Sequence, residues 1–435
     1  RTQHHLQVSP ARMGAMERIQ LGAILLSSVS TRLAWACTYF EVESPGGVWV
    51  AGRTLELGLS SGGLFRMTGS LPSPTAMPAP TPAPLPPPAP SLAPRATRPA
   101  VAEPLPLGMG RRLSAPVGLP WRMVVHPRGQ DGSRHNTYGF VSVEVESRGT
   151  VLMADGMNEA GLSISMQTMR TARYQHPDSA KTTLVFTDVV PWVLSTFDSI
   201  GAVARGFHNI SVVDTGHEPG EFVHWALADA KGRSVVLEFV HGHLEVHPND
   251  VRVMTNDPDY PWHLKNLNMY VGLSPNVPDA NRDITIETEV GPVPHIWSHG
   301  FNLHGLPGDF SPASRFVRMF YLRLYAQLHD PVTSTDDAVV LCTGLLNNVF
   351  IPRGTVAPMT PSPSALDYDL TQWALIKIPA QRRLIFRSYR SMMWQQVDLR
   401  LLEWDRARSI PLADESLGIQ DVTARLREAE RPNVV

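Results

Sequence analysis

Cysteine is scarce in this chain. Two residues, Cys37 and Cys342, leave room for a single bridge, and their spacing does not say whether it forms. An excess of one charge is also absent: 38 Lys and Arg face 40 Asp and Glu, a formal net charge of −2. No basic run with interleaved aromatics occurs, which excludes a nucleic-acid partner of the usual kind. Beyond an N-terminal stretch at Leu21–Val29, no apolar run approaches the roughly 18 residues that a membrane helix needs. No internal repeat is present, which excludes solenoids and propellers. Enough remains for a large core, since 43% of the residues are apolar.

Proline, by contrast, is abundant and clustered. Residues 71–106 are dominated by Pro and Ala. Each Pro lacks an N–H, so this segment neither joins a sheet nor continues a helix, and it reads as a surface insertion. The chain before it is too short to be a domain. Thr38–Val42, the turn Ser44–Gly47 and Val48–Ala51 read as a hairpin that returns Arg53 and Glu56 to the neighbourhood of Cys37. After the insertion, strands are expected at 121–126, 138–145, 151–155, 161–166, 223–228, 234–240 and 244–247. Helices are expected at 187–195, 199–208, 262–270 and 314–328, the last capped by Ser311 or Ser314. Strands at 373–378, 383–388 and 396–398 follow, and 411–435 reads as a polar tail. Many strands with paired helices suit stacked sheets covered by helices, an α+β class.

The most informative position is Cys37. Leu21–Val29 leads to Ala34-Trp35-Ala36, a small-x-small cleavage site, with Met13 or Met16 as a start and Arg18 as a positive flank. Residues 1–36 therefore read as a leader with a signal peptide, and the location as secreted or periplasmic. Cleavage after Ala36 makes Cys37 the first residue. Its thiol, with an ordinary pKa of about 8.5, then sits beside its own α-amine of about 7.7–8.0. The amine can take the thiol proton and later deliver it to a leaving nitrogen. These are the working parts of an N-terminal-nucleophile amide hydrolase.

Several local patterns line up behind that cysteine. They are Gly52-Arg53-Thr54-Leu55-Glu56, Asp155-Gly156-Met157-Asn158-Glu159-Ala160-Gly161-Leu162, Met254-Thr255-Asn256-Asp257-Pro258, and Leu306–Ser311 followed by Ser314-Arg315-Phe316. Asn347–Pro352 and Tyr368 to Trp373 complete the series. In this order the chain resembles the choloylglycine hydrolase family, which includes penicillin V acylases and conjugated bile salt hydrolases. The resemblance covers 37–403 outside the Pro-rich insertion. It implies a four-layer αββα fold and hydrolysis of a linear amide C–N bond in a small-molecule N-acyl substrate. It calls for no cofactor and no metal, and it implies a homotetramer. Residue by residue, it makes Cys37 the nucleophile and places Arg53 and Arg315 in the active site. Asn256 becomes a holder of the oxyanion.

Two positions depart from the family pattern. Glu56 stands where the family has Asp, a carboxylate that orients the α-amine. Thr168 stands where an Asn or Tyr contributes to the oxyanion hole or touches substrate. Asn158 reads as a turn-former. Gly58-Leu59-Ser60-Ser61-Gly62 matches the serine-hydrolase elbow but lacks the strand before it and the helix after it. His241, His243 and His247 flank a turn and lack accompanying ligands for a metal. Two alternatives to the leading hydrolase reading stay open: an acylethanolamine- or ceramide-type amidase, and a catalytically silent lipid-binding protein on the same fold.

Overall fold

The computed structural model describes residues 36–56, 119–131, 134–147, 150–214, 222–276, 284–295, 300–356, 369–391 and 393–413. All of them belong to one compact unit. The leader, the 71–106 insertion and the Gly58–Gly62 motif lie outside the described residues.

The chain opens with the expected hairpin, β1 (Ala36–Ser44) and β2 (Val48–Glu56), running longer than its β-branched cores alone indicate. Its turn requires glycine, because Gly46 and Gly47 both have positive φ, 76° and 72°. Next come β3 (Arg122–His126), β4 (Gly129–Asp131), β5 (Arg134–Asn136), β6 (Phe140–Ser147), β7 (Thr150–Asn158), β8 (Ser163–Thr168) and β9 (Thr182–Val185). Helices α1 (Val189–Thr196) and α2 (Ile200–Gly206) precede β10 (Ile210–Val213), β11 (Val223–Ala228), β12 (Ser234–Val240), β13 (His243–Pro248) and β14 (Val253–Met254). Then follow α3 (Tyr260–Asn266), the hairpin β15 (Ile284–Thr288) and β16 (Gly291–His295), and the long helices α4 (Pro312–His329) and α5 (Thr335–Asn347). The last strands are β17 (Thr371–Ile378), β18 (Arg383–Ser388), β19 (Gln395–Asp398) and β20 (Arg408–Pro411).

Two antiparallel sheets dominate. The first has six strands in the order β14-β1-β2-β17-β18-β19, and the second eight in the order β13-β12-β11-β8-β7-β6-β3-β20. They stack so that Leu55, Trp373 and Leu375 of the first sheet face Val141 of the second in the core between them, while Ile164 and Trp225 point to the outer face of the second sheet. Helix α1 covers the outside of the second sheet, and α4 and α5 cover the outside of the first. The architecture is the αββα sandwich that the motif order implies.

Helix α4 starts at Ser311, whose hydroxyl accepts from the Ser314 N–H at 3.4 Å, with Pro312 at the first helical position. Helix α5 was legible only as an apolar stretch. Its cap is Ser334, which accepts from the Asp337 N–H at 3.0 Å. Cys342 on α5 is fully buried against β2, and both cysteines are free. The possible bridge is therefore not formed: Cys37 belongs to the core between the sheets and Cys342 to the core under the helices. The fold also runs past residue 403. Strand β20 pairs with β3, and Leu412 is buried with its N–H on the Trp121 carbonyl at 2.9 Å. The polar tail thus begins after Leu412, since edge pairing over four residues leaves too little pattern to read.

Candidate active site

Strand alternation gathers the site. Cys37 is the second residue of β1, opposite Leu55 of β2, and Tyr39 lies opposite Arg53. Leu55 and Arg53 in turn face Trp373 and Leu375 of β17. With a side-chain period of two, all of these point between the sheets. Cys37 is 0% exposed. Arg53 Nη2 lies 3.9 Å from the Cys37 sulfur and also donates to the Met166 carbonyl. The same guanidinium packs over Trp373, 4.8 Å from the ring centre. Burial pushes the thiol up to about 11; Arg53 pulls it down, Glu56 raises it, and Arg315 and a hydrogen bond from the Glu56 backbone lower it.

Arg315 comes from the first turns of α4 and is fully buried. Its Nε donates to the Phe310 carbonyl at 2.9 Å, and its Nη1 donates to Thr38 Oγ1 at 2.8 Å and to the Cys37 carbonyl. Its Nη2 donates to Asn256 Oδ1 at 2.7 Å. Asp309, the nearest carboxylate in sequence, makes no ion pair with Arg315. Asp309 instead accepts from Ser314 Oγ at 2.6 Å and the Ser311 N–H at 2.8 Å, closing the start of the helix.

Asn256 sits just after β14, the strand that pairs with β1. Its Oδ1 accepts from the Cys37 N–H at 2.8 Å as well as from Arg315, and its Nδ2 donates to the Thr168 carbonyl at 2.9 Å. Two donors on one oxygen fix the amide's orientation. The structure thus brings Asn256 to the cysteine nitrogen, with one of its two amide protons engaged by Thr168. Thr168 ends β8. Its own hydroxyl is buried without a hydrogen-bond partner, and the next N–H, on Met169, is engaged by the Phe222 carbonyl.

Glu56 lies opposite Ala36, the residue that precedes Cys37. Its Oε1 accepts from Thr371 Oγ1 at 3.0 Å, while Oε2 is buried without a partner. Burial pushes its carboxyl up to about 7, against the opposing pull of Arg315, the Thr54 and Thr371 hydroxyls and Arg53. Thr371, on the neighbouring strand β17, is thus the residue that holds this carboxyl.

Several supporting residues escaped the sequence. His224 Nε2 is 2.8 Å from the Thr255 carbonyl and its Nδ1 is 2.8 Å from Glu238. His263 Nε2 donates to the Asn256 carbonyl at 2.9 Å, and its ring stacks on Phe316. Burial holds this imidazole down at about 4, so it is neutral. The Asp257 carboxylate accepts from the backbone of Arg170 and Thr171, each at 2.9 Å, tying the Asn256 loop to the end of β8. In the sequence, a lone histidine carries no sign of which carbonyl it will meet.

A cavity of about 480 Å³ opens beside this cluster. Phe310, Pro312, Ile351 and Val356 give it apolar walls, and Thr168, Asn256 and Arg315 line the side toward Cys37. Asn158 is a turn brace: its Oδ1 accepts from the Ala160 and Leu162 N–H groups at 3.1 and 3.0 Å, and its Nδ2 donates to the Leu194 carbonyl. His241 lies in the turn before β13, which carries His243 and His247. A Ser142–His126–Asp131 row elsewhere mimics a serine-hydrolase triad at 3.0 Å spacings. Ser142 is fully buried, however, and its hydroxyl donates to Glu144 at 2.6 Å, so it presents no nucleophile.

Comparison with known proteins bears on this geometry. Residues 110–409 match the family model for linear amide C–N hydrolases of the choloylglycine hydrolase family. A bile salt hydrolase/transferase from Clostridium perfringens is 32% identical over 252 residues, covering 57% of this chain and 72% of that one. Another from Bifidobacterium longum is 31% identical over 235 residues, 51% of this chain and 71% of that one. Among solved structures, a cysteine-to-alanine variant of conjugated bile acid hydrolase from Clostridium perfringens superposes with a TM-score of 0.65 at 22% identity, covering 89% of this chain and all of that one. Penicillin V acylase from Agrobacterium tumefaciens gives 0.57 at 17% identity, covering 88% and 94%. The chain therefore belongs to the choloylglycine hydrolase family and is a linear amide C–N hydrolase.

Proposed function

We propose that this enzyme cleaves an N-acyl amide through a thioester on Cys37, after removal of the residues that precede it. The observation that carries the reading is the convergence on one residue: Asn256 holds the Cys37 nitrogen, Arg315 its carbonyl and Arg53 its sulfur. Freed of Ala36, that nitrogen becomes an α-amine beside Asn256 Oδ1, with the buried Glu56 carboxyl at the neighbouring register position. The amine accepts the thiol proton, and the sulfur attacks the acyl carbon. The C–N bond breaks, the amine proton leaves with the departing nitrogen, and water then hydrolyses the thioester. The remaining Asn256 amide proton and the Thr168 hydroxyl are the donors for the oxyanion.

The relatives add support. Two solved variants of the Clostridium perfringens enzyme replace a cysteine and an arginine sixteen residues apart, the separation of Cys37 and Arg53. The names of the relatives point to conjugated bile salts, penicillin V or other N-acyl amides, and the apolar cavity suits their acyl part. The leader motif makes the enzyme secreted or periplasmic. The test is N-terminal sequencing of protein from its host, followed by turnover of bile salts, penicillin V, acyl-homoserine lactones and acylethanolamines by the parent and by Cys37→Ala. Chains starting at Cys37, with turnover lost in the variant, are expected. Turnover by Cys37→Ala would sink the reading.

A further inference from the structure

Lys377 is a lysine with 0% exposure near the end of β17, and the proposed chemistry does not use it. It lies two residues beyond Leu375, so it shares the inter-sheet face with Arg53 and Cys37. Its Nζ reaches across to the second sheet, 2.6 Å from Asp155 Oδ1 and 2.7 Å from Ser165 Oγ. Asp155 and Ser165 are direct partners on β7 and β8, so the two form one seat for the ammonium.

The other oxygen of Asp155 faces Arg53. That contact is loose: Nε and Oδ2 are 3.3 Å apart, and neither atom makes a hydrogen bond. One carboxylate thus serves two buried cations and is held tightly by Lys377 alone. Arg53 therefore shares its counter-ion with Lys377, and its Nη2 lies 3.9 Å from the Cys37 sulfur.

The charged groups around the thiol are Arg53 and Glu56 from β2, Arg315 from α4, the Lys377–Asp155 pair and, once Ala36 is removed, the α-amine of Cys37 itself. Glu41, which also faces Lys377, is paired with Arg252 at 2.7 Å. With Glu56 ionised and the α-amine neutral, three cations face two carboxylates, and a thiolate restores balance. We propose that Lys377 is a positioning residue for Cys37: by holding Asp155 it keeps the Arg53 charge on the sulfur and so sets the thiolate population.

The inference rests on the reading of Cys37 as the nucleophile, yet its test needs no substrate. The thiolate absorbance of the purified chain is titrated against pH, with the Cys37→Ser protein subtracted. Lys377→Met releases Asp155 to neutralise Arg53, and the midpoint is expected to rise by about one pH unit. Asp155→Asn removes the competing anion, and the midpoint is expected to fall by a similar amount. Lys377→Arg, and the double variant Lys377→Met with Asp155→Asn, are expected to stay near the parent. A purely structural role moves both single variants the same way or neither, and that result overturns the proposal. Should Lys377→Met fail to fold, Asp155→Asn decides alone: a fall supports the role, and no change or a rise ends it. Loss of the nucleophile reading would appear separately, as turnover by Cys37→Ala.

Discussion

Thr168 offers a hydroxyl that is buried, unpartnered and on the cavity wall. An unsatisfied buried donor costs stability unless something binds it, which makes it a candidate for the oxyanion. Thr168→Val keeps the shape and removes the donor. We expect kcat to fall about 100-fold with KM little changed, the pattern of an interaction made only in the transition state. Glu56 gives a prediction in pH. Its folded carboxyl is raised from 4.5 to about 7, so the folded state holds a proton there that the unfolded chain has lost. Stability from this group is complete below the unfolded pKa and declines as pH rises through the folded one. In chains that still carry Ala36, Glu56→Gln should therefore melt higher than the parent above neutral pH, by an amount worth on the order of 3 kcal/mol, and should match it in acid. Thermal melts at both ends of that range check the sign.

At the scale of elements, the site depends on strands and helices meeting without slack. Gly52 on β2 shows how little room remains. A Cβ there would lie 2.6 Å from the Cys342 sulfur on α5 and 2.7 Å from the Phe40 ring. Gly52→Ala should therefore destabilise the protein by about 1–3 kcal/mol, measured by denaturant unfolding, because β2 must move away from α5. Since β2 also carries Arg53 and Glu56, turnover should fall together with stability. Helix α5 shows what local pattern could have revealed. Asp330-Pro331 marks a turn, and Ser334-Thr335-Asp336-Asp337 is a capping signal, a hydroxyl followed three residues later by an acid. The strands on both sides of Gly156–Ala160 were readable from alternation, because each buries a face on a sheet whose neighbour is close in sequence. The pairing of β20 with β3, and of β14 with β1, joins segments far apart in the chain. No local periodicity encodes such a pairing.

At the scale of the molecule, the described residues on both sides of the Pro-rich stretch complete both sheets and the covering helices. A chain lacking residues 71–106 should therefore fold and turn over substrate like the parent; a lost melting transition would show that the stretch contributes to the core. The sequence by itself determined the nucleophile candidate, the hairpin that returns Arg53 and Glu56 to it, and the order of motifs that names the family. These are properties of short segments, where residue type and spacing set the chemistry. Only the tertiary structure decided that Asn256 holds the cysteine nitrogen, that Arg315 reaches the Cys37 carbonyl, and that Thr371 holds the Glu56 carboxyl. The same holds for Lys377 and Asp155, a charged pair that reads from sequence as an isolated lysine in an apolar strand and an acid before a turn. Their partnership exists because two sheets stack face to face, and a buried charge is tolerated only where the opposite sheet supplies its counterpart.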